Sequence, residues 1–140
     1  MRAVVTGATG QLGHALQATV PGETKCIALD RQAFDLAAPD SLTGVLLSLK
    51  PDVLINTAAY TAVDKAESDE ALAFVINADS VEIMAAYAKS ADIPFIQIST
   101  DFVFDGNKSS PYQSHDRCAP LGVYGASKLA GEERARAVNP

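Results

Sequence analysis

A glycine-spaced turn set between an apolar strand and an amphipathic helix, Thr6-Gly7-Ala8-Thr9-Gly10-Gln11-Leu12-Gly13, constrains this chain more than any other stretch. Residues 2–6 (Arg-Ala-Val-Val-Thr) read as a buried strand that enters the turn directly. After the turn, Leu12, Ala15, Leu16 and Val20 recur at helical spacing until Pro21-Gly22 stops the run. Gly7 permits the sharp turn, and Gly10 lets the backbone approach a pyrophosphate with no Cβ in the way. Gly13 lets the helix lie close on the strand. The helix start adds free N–H groups and partial positive charge. The spacing is G-x-x-G-x-x-G rather than G-x-G-x-x-G, and a glycine turn alone also fits a merely tight βα connection. Strand before and helix after supply the context that a dinucleotide site requires.

Downstream, the pattern alternates. Residues 24–30 (Thr-Lys-Cys-Ile-Ala-Leu-Asp) predict a second strand ending in Asp30, seventeen positions after Gly13, where an acid can accept from the adenosine ribose hydroxyls and favours NAD. Arg31 follows at once and suits the 2′-phosphate of NADP, so both NADH and NADPH stay open. Ala33-Phe34-Asp35-Leu36 predicts a brief third strand. Residues 40–50 predict a helix with Leu42, Val45, Leu46 and Leu49 on one face, capped by Asp40 or Ser41. Val53-Leu54-Ile55 predicts a central strand, with the small residues Ala58 and Ala59 past its C-terminal end. Ligands of open α/β sheets bind at that end. A helical pattern runs from about Asp69 to Ala91, and Asn77 inside its apolar stripe suits a backbone contact and a solvated position equally well. Phe95-Ile96-Gln97-Ile98-Ser99 predicts another strand, ending in Thr100-Asp101. Residues 105–121 form a long loop, of a length usually reserved for function.

That loop leads to Tyr124 and Lys128, four apart and therefore on one face of a helix. An ammonium beside a phenol favours the phenolate, as a proton donor working near neutral pH requires. The pair alone also fits an ordinary exposed helix face. Thr100 at a strand end, Tyr124 and Lys128 beside a dinucleotide make a hydride-transfer constellation. In it Tyr124 protonates the oxygen of a carbonyl under reduction, Lys128 supports Tyr124 and binds the nicotinamide ribose, and Thr100 places the carbonyl. Strand and helix alternating with short connections predict an α/β, Rossmann-like, doubly wound parallel sheet with helices on both faces.

Composition narrows the partners. A net charge of −6 argues against nucleic acid as partner. Two cysteines, Cys26 and Cys118, suggest neither a disulfide framework nor a metal site. No signal sequence or apolar run of membrane-spanning length is read, so a cytoplasmic location and no membrane are expected.

The glycine turn, residues 56–67 (Asn-Thr-Ala-Ala-Tyr-Thr-Ala-Val-Asp-Lys-Ala-Glu), residues 99–106 (Ser-Thr-Asp-Phe-Val-Phe-Asp-Gly) and the Tyr124/Lys128 segment occur together and in order. In this the chain resembles the extended short-chain dehydrogenase/reductases, most closely the family of dTDP-4-dehydrorhamnose reductases. The resemblance implies NAD(P)H-dependent reduction of the 4-keto group of dTDP-4-dehydro-L-rhamnose to dTDP-L-rhamnose, with Thr100, Tyr124 and Lys128 catalytic. It implies cofactor contacts at Gly10, Gln11, Leu12, Asp30, Asp35, Leu36, Ala58, Ala59 and Tyr60, with Tyr124 and Lys128 also beside the cofactor. Contacts to a dTDP-sugar fall to Thr100, Asp101 and Tyr124. Phe102 stands where the family usually has Tyr, and Gly122 where Asn is common. The family also continues with a C-terminal part that binds the sugar nucleotide. Residues 1–140 are therefore expected to be its NAD(P)-binding domain, with an open sheet edge prone to association as a homodimer. Two alternatives accompany this reading. One is another sugar-nucleotide epimerase, dehydratase or reductase, although Thr100-Asp101-Phe102 lacks the second acid of a dehydratase. The other is a non-catalytic, NADP-binding regulatory subunit.

Overall fold

The computed structural model describes residues 1–139. Four parallel strands, β1 (Arg2–Thr6), β2 (Lys25–Leu29), β3 (Val53–Asn56) and β4 (Phe95–Gln97), form one sheet in the order β2-β1-β3-β4. The order reverses between β1 and β3, which pair at Ala3–Val53 through Thr6–Asn56. That reversal is the switch point beside which α/β sheets open a crevice. The helices are α1 (Gln11–Ala18), α2 (Leu42–Leu49), α3 (Val63–Ala66), α4 (Glu70–Phe74), α5 (Ser80–Ser90) and α6 (Val123–Val138).

Strand alternation explains the layering. Val4 and Leu54 point to one face, where they join Leu42 and Leu46 of α2 and Val81, Met84 and Tyr87 of α5 in the main core. Each such side chain, fully buried, contributes about 1.5–3 kcal/mol. Ala3, Val5, Val53, Ile55 and Ile96 point to the opposite face and line a hollow there with Leu16 of α1 and Val20 just beyond it. Among the described residues α1 covers that face alone. Ile96 on that face is consequently 46% exposed; Leu12, in the first turn of α1, is 40% exposed, so the apolar stripe of α1 is less buried than its periodicity implies. Glu70–Ser90 is apolar and long enough to resemble a membrane span, yet Val81, Met84 and Tyr87 seat it in the core.

Three expectations are corrected. Residues 33–36 form turns rather than a third strand, because aspartates capture the backbone. Asp30 Oδ1 accepts from Ala33 N at 2.9 Å and Asp35 Oδ1 from Ala37 N at 3.0 Å, the side-chain-to-backbone pattern that competes with sheet ladders. Residues 39–41 form a 3-10 turn, and Ser41 occupies the N-cap position of α2 without a side-chain capping bond, because its hydroxyl donates back to Ala38 O. The long helix is not regular, since Val75–Asp79 is π-helical between α4 and α5.

Candidate functional site

Gly7 adopts φ +73°, and a Cβ there would stand 2.8 Å from Ala58 N. The turn thus needs glycine twice over, for its left-handed backbone and for the approach of the β3 end. A Cβ on Gly13 would overlap the Gly7 carbonyl, so α1 lies directly on the turn. No side chain caps α1; Gly10 occupies that position, leaving the helix start open. The crevice above it is lined by Gly7, Gly10, Arg31, Asp35, Leu36, Ala58 and Ala59, together with Thr9, Phe34, Thr57, Thr61 and Ile76.

The structure sorts the cofactor residues expected from sequence. Gly7, Gly10, Arg31, Asp35, Leu36, Ala58 and Ala59 line one crevice. Arg31 Nε pairs with Asp35 at 3.5 Å, and the Leu36 carbonyl is fixed by the buried Ser80 hydroxyl at 2.6 Å. Gln11 and Leu12 form the exposed first turn of α1, while Gly13 is buried beneath it. Asp30 is exposed and closes its own turn. The Tyr60 hydroxyl donates to Asp69 at 2.9 Å, and Lys65 pairs with the same carboxylate at 2.9 Å. Partial burial and then Asp69 raise the phenol above its ordinary value.

Thr6, Asn56 and Gln97 share one register across β1, β3 and β4. The Thr6 hydroxyl donates to Asn56 Oδ1, and Asn56 Nδ2 donates to Gln97 Oε1 at 2.7 Å. This polar ladder ties the strand ends together under the crevice. Thr57 adds a hydroxyl bond to Thr6 O at 2.6 Å.

The second part of the site forms where residues 98–103 pack on the start of α6. Lys128 is 5% exposed, and its Nζ donates to Ile98 O at 2.6 Å. Burial pushes its pKa down, and the Glu132 carboxylate one turn on pushes it up. Glu132 accepts from the Ser99 hydroxyl at 2.5 Å and pairs with Arg136 at 2.9 Å. Phe102 packs edge-to-face on Tyr124, centroids 5.5 Å apart, and a Cβ on Gly125 would overlap the Phe102 carbonyl. Thr100 is thereby held beside the helix that carries Tyr124 and Lys128, its Oγ1 accepting from Phe102 N at 3.2 Å. Asp101, Phe102 and Tyr124 share a second hollow with Val63, Phe104, Tyr112 and Leu121.

Asn77 links the two parts. It is buried, accepts from Tyr60 N at 2.8 Å, and donates to Tyr60 O at 3.1 Å and to Ser127 Oγ at 3.0 Å. Ser127 in turn donates to Tyr124 O at 2.8 Å. The solvated alternative for Asn77 is therefore excluded. A Cβ on Gly131 would overlap Asn77 O, so α6 rests directly on the π-helical turn.

The loop that closes the second hollow is braced by Asp105, which accepts from Asn107 N at 3.1 Å and Tyr112 OH at 3.0 Å, while Tyr112 stacks on Phe104 at 4.2 Å. The Asn107 amide first, then Tyr112, hold the Asp105 carboxyl below its ordinary 3.8. A carboxylate depressed in the fold stabilises above its unfolded pKa, and the contribution fades as pH falls through the lower folded value. Asp105→Asn is expected to lower the thermal midpoint at neutral pH and to change it little in strong acid. A loss of equal size at both would contradict this.

A parallel sheet with its glycine turn at the switch point and a Tyr/Lys helix beyond the strand ends defines a Rossmann-like α/β domain. The family follows from the sequence as a whole: the model of the RmlD substrate binding domain matches residues 1–140, and the chain belongs to that family. It is 44% identical over 140 residues to a dTDP-4-dehydrorhamnose reductase of Sinorhizobium fredii, covering 100% of this chain and 47% of that protein. With one from Burkholderia thailandensis it shares 47% over 132 residues, covering 94% of this chain and 44% of that protein. The crystal structure of a dTDP-4-dehydrorhamnose reductase from Clostridium acetobutylicum superposes with a TM-score of 0.95 at 40% identity, over 100% of this chain and 50% of that one. The Bacillus anthracis reductase, solved in complex with NADP, superposes with a TM-score of 0.94 at 35% identity, over 99% and 50%. The chain spans about half the length of the curated relatives it matches.

Proposed function

We propose that this chain is the NAD(P)H-binding part of a reductase that converts the 4-keto group of dTDP-4-dehydro-L-rhamnose to the alcohol of dTDP-L-rhamnose, in the cytoplasm. The observation that carries the reading is the Lys128 Nζ–Ile98 O bond, which fixes the segment leading from β4 to Thr100 onto the Tyr124 helix. The relatives named above support the substrate, and the NADP complex of one of them supports the cofactor.

The residues fit a dinucleotide. The bare, uncapped start of α1 and the Cβ-free edge at Gly7 and Gly10 accept a pyrophosphate. Ala58 and Ala59 leave room beside it, and Arg31 and Asp35 flank the adenosine end. When bound, the reduced nicotinamide supplies the hydride. Tyr124 delivers a proton to the sugar oxygen as the carbonyl is reduced. Lys128, one turn beyond Tyr124 on α6, offers its remaining N–H groups to the ribose. The Thr100 hydroxyl donates to the sugar oxygen and orients it.

The test is turnover of dTDP-4-dehydro-L-rhamnose by the full-length protein with NADPH and with NADH. Cofactor-dependent formation of dTDP-L-rhamnose is expected. Absence of turnover with both cofactors would refute the reading.

A further inference from the structure

Helix α6 carries the proposed proton donor, yet it has no cap of its own. Position 122 is glycine in extended backbone (φ −139°, ψ 171°), and no side chain there accepts from the first amides. The leading N–H groups of a helix have no partner within the helix. At α6 one of them is met from far away in sequence: Val123 N donates to Glu67 Oε1 at 2.8 Å, across 56 residues.

Glu67 directly follows α3 and ends the segment that starts at the β3 strand end and passes Ala58, Ala59 and Tyr60. A Cβ at position 122 would stand 2.8 Å from the same Glu67 Oε1. A side chain at 122 and the Glu67 carboxylate therefore compete for one place, and here the carboxylate holds it. Its negative charge also lies at the positive end of the helix dipole. Tyr124 is the next residue after Val123, so the bond sets the height and angle at which the phenol leaves the helix. One turn later the Asn77–Ser127 bond ties α6 to Tyr60 of the same segment. The first turns of α6 are thus fastened twice to the stretch that lines the crevice.

We propose that Glu67 is a positioning residue: it caps α6 from α3 in place of a side chain at 122 and so fixes Tyr124 relative to the cofactor crevice. The kinetic consequence rests on the reductase reading above; the cap itself does not.

Three variants of the full-length protein test it: E67A, E67Q and the double variant E67A/G122N. Amide exchange at Val123, referenced to β1, reads the cap, and kcat and KM read its consequence. In E67A, exchange at Val123 is expected to accelerate by roughly 2- to 30-fold, as for loss of an N-cap. Turnover is expected to fall on the order of tenfold with cofactor KM kept, because small misplacements of a reacting group are costly. E67Q keeps an acceptor oxygen in place and should retain both protection and turnover. In E67A/G122N the emptied place admits the asparagine, a strong N-cap, and both should recover. If E67A alone loses the fold, the double variant decides.

Unchanged exchange at Val123 in E67A overturns the cap. Faster exchange with unchanged kcat overturns the positioning role, as does an E67Q protein as impaired as E67A. A wild-type protein without reductase activity is a separate failure, of the proposed reaction, and the exchange measurement still decides the cap.

Discussion

Tyr124→Phe in the full-length protein is expected to lower kcat for reduction of the sugar nucleotide by about 10²–10⁴-fold, the usual contribution of a general acid. Cofactor affinity should stay near the wild-type value. The substitution is clean because the ring keeps its packing. The edge-to-face contact with Phe102 at 5.5 Å involves carbon alone, and the bonds to Glu67 and from the Ser127 hydroxyl use backbone atoms of residues 123 and 124. Only the hydroxyl is removed. A variant with wild-type turnover would exclude Tyr124 as the acid.

Gly13→Ala is expected to cost about 1–3 kcal/mol of unfolding free energy, the range for forcing extra atoms into a packed site, and to weaken cofactor binding at the same time. The added Cβ meets the carbonyl of Gly7, which is backbone and has no rotamer through which to yield. Either α1 lifts off or the turn deforms, and the turn is one wall of the crevice. Gly22→Ala provides the control, because nothing lies within 4 Å of a Cβ there. Denaturant unfolding of the two variants separates the effects. Equal midpoints for both would show that the contact is not limiting.

The architecture was readable wherever one local signal decided it. The apolar runs at Arg2–Thr6 and Val53–Asn56 read as strands and are strands, and the strand before and helix after Gly7 to Gly13 placed the glycine turn between them. The face shared by Tyr124 and Lys128 follows from helical periodicity. What escaped had distant or competing causes. Residues 33–36 carry an apolar pattern, but Asp30 and Asp35 close turns on either side of it. The π-helical Val75–Asp79 leaves no mark in a stripe read at 3.6 residues per turn, so the linking role of Asn77 stayed hidden. The Thr6–Asn56–Gln97 ladder needs the strand register, which a single strand does not reveal. Glu67 stands among other charges, Asp64 and Lys65, and its partner lies 56 residues away, so no local pattern marks it. A bare Gly122 just before a helix was the available hint that a cap comes from elsewhere.

The central claim is that the crevice over the glycine turn holds a nicotinamide dinucleotide beside Tyr124. Titration of the full-length protein with NADPH and with NADH, followed by the fluorescence of the reduced nicotinamide, tests it most directly. The expected result is saturable binding of at least one cofactor that Gly13→Ala weakens and Tyr124→Phe preserves. No saturable binding of either cofactor at millimolar concentration, or binding indifferent to Gly13→Ala, would contradict it.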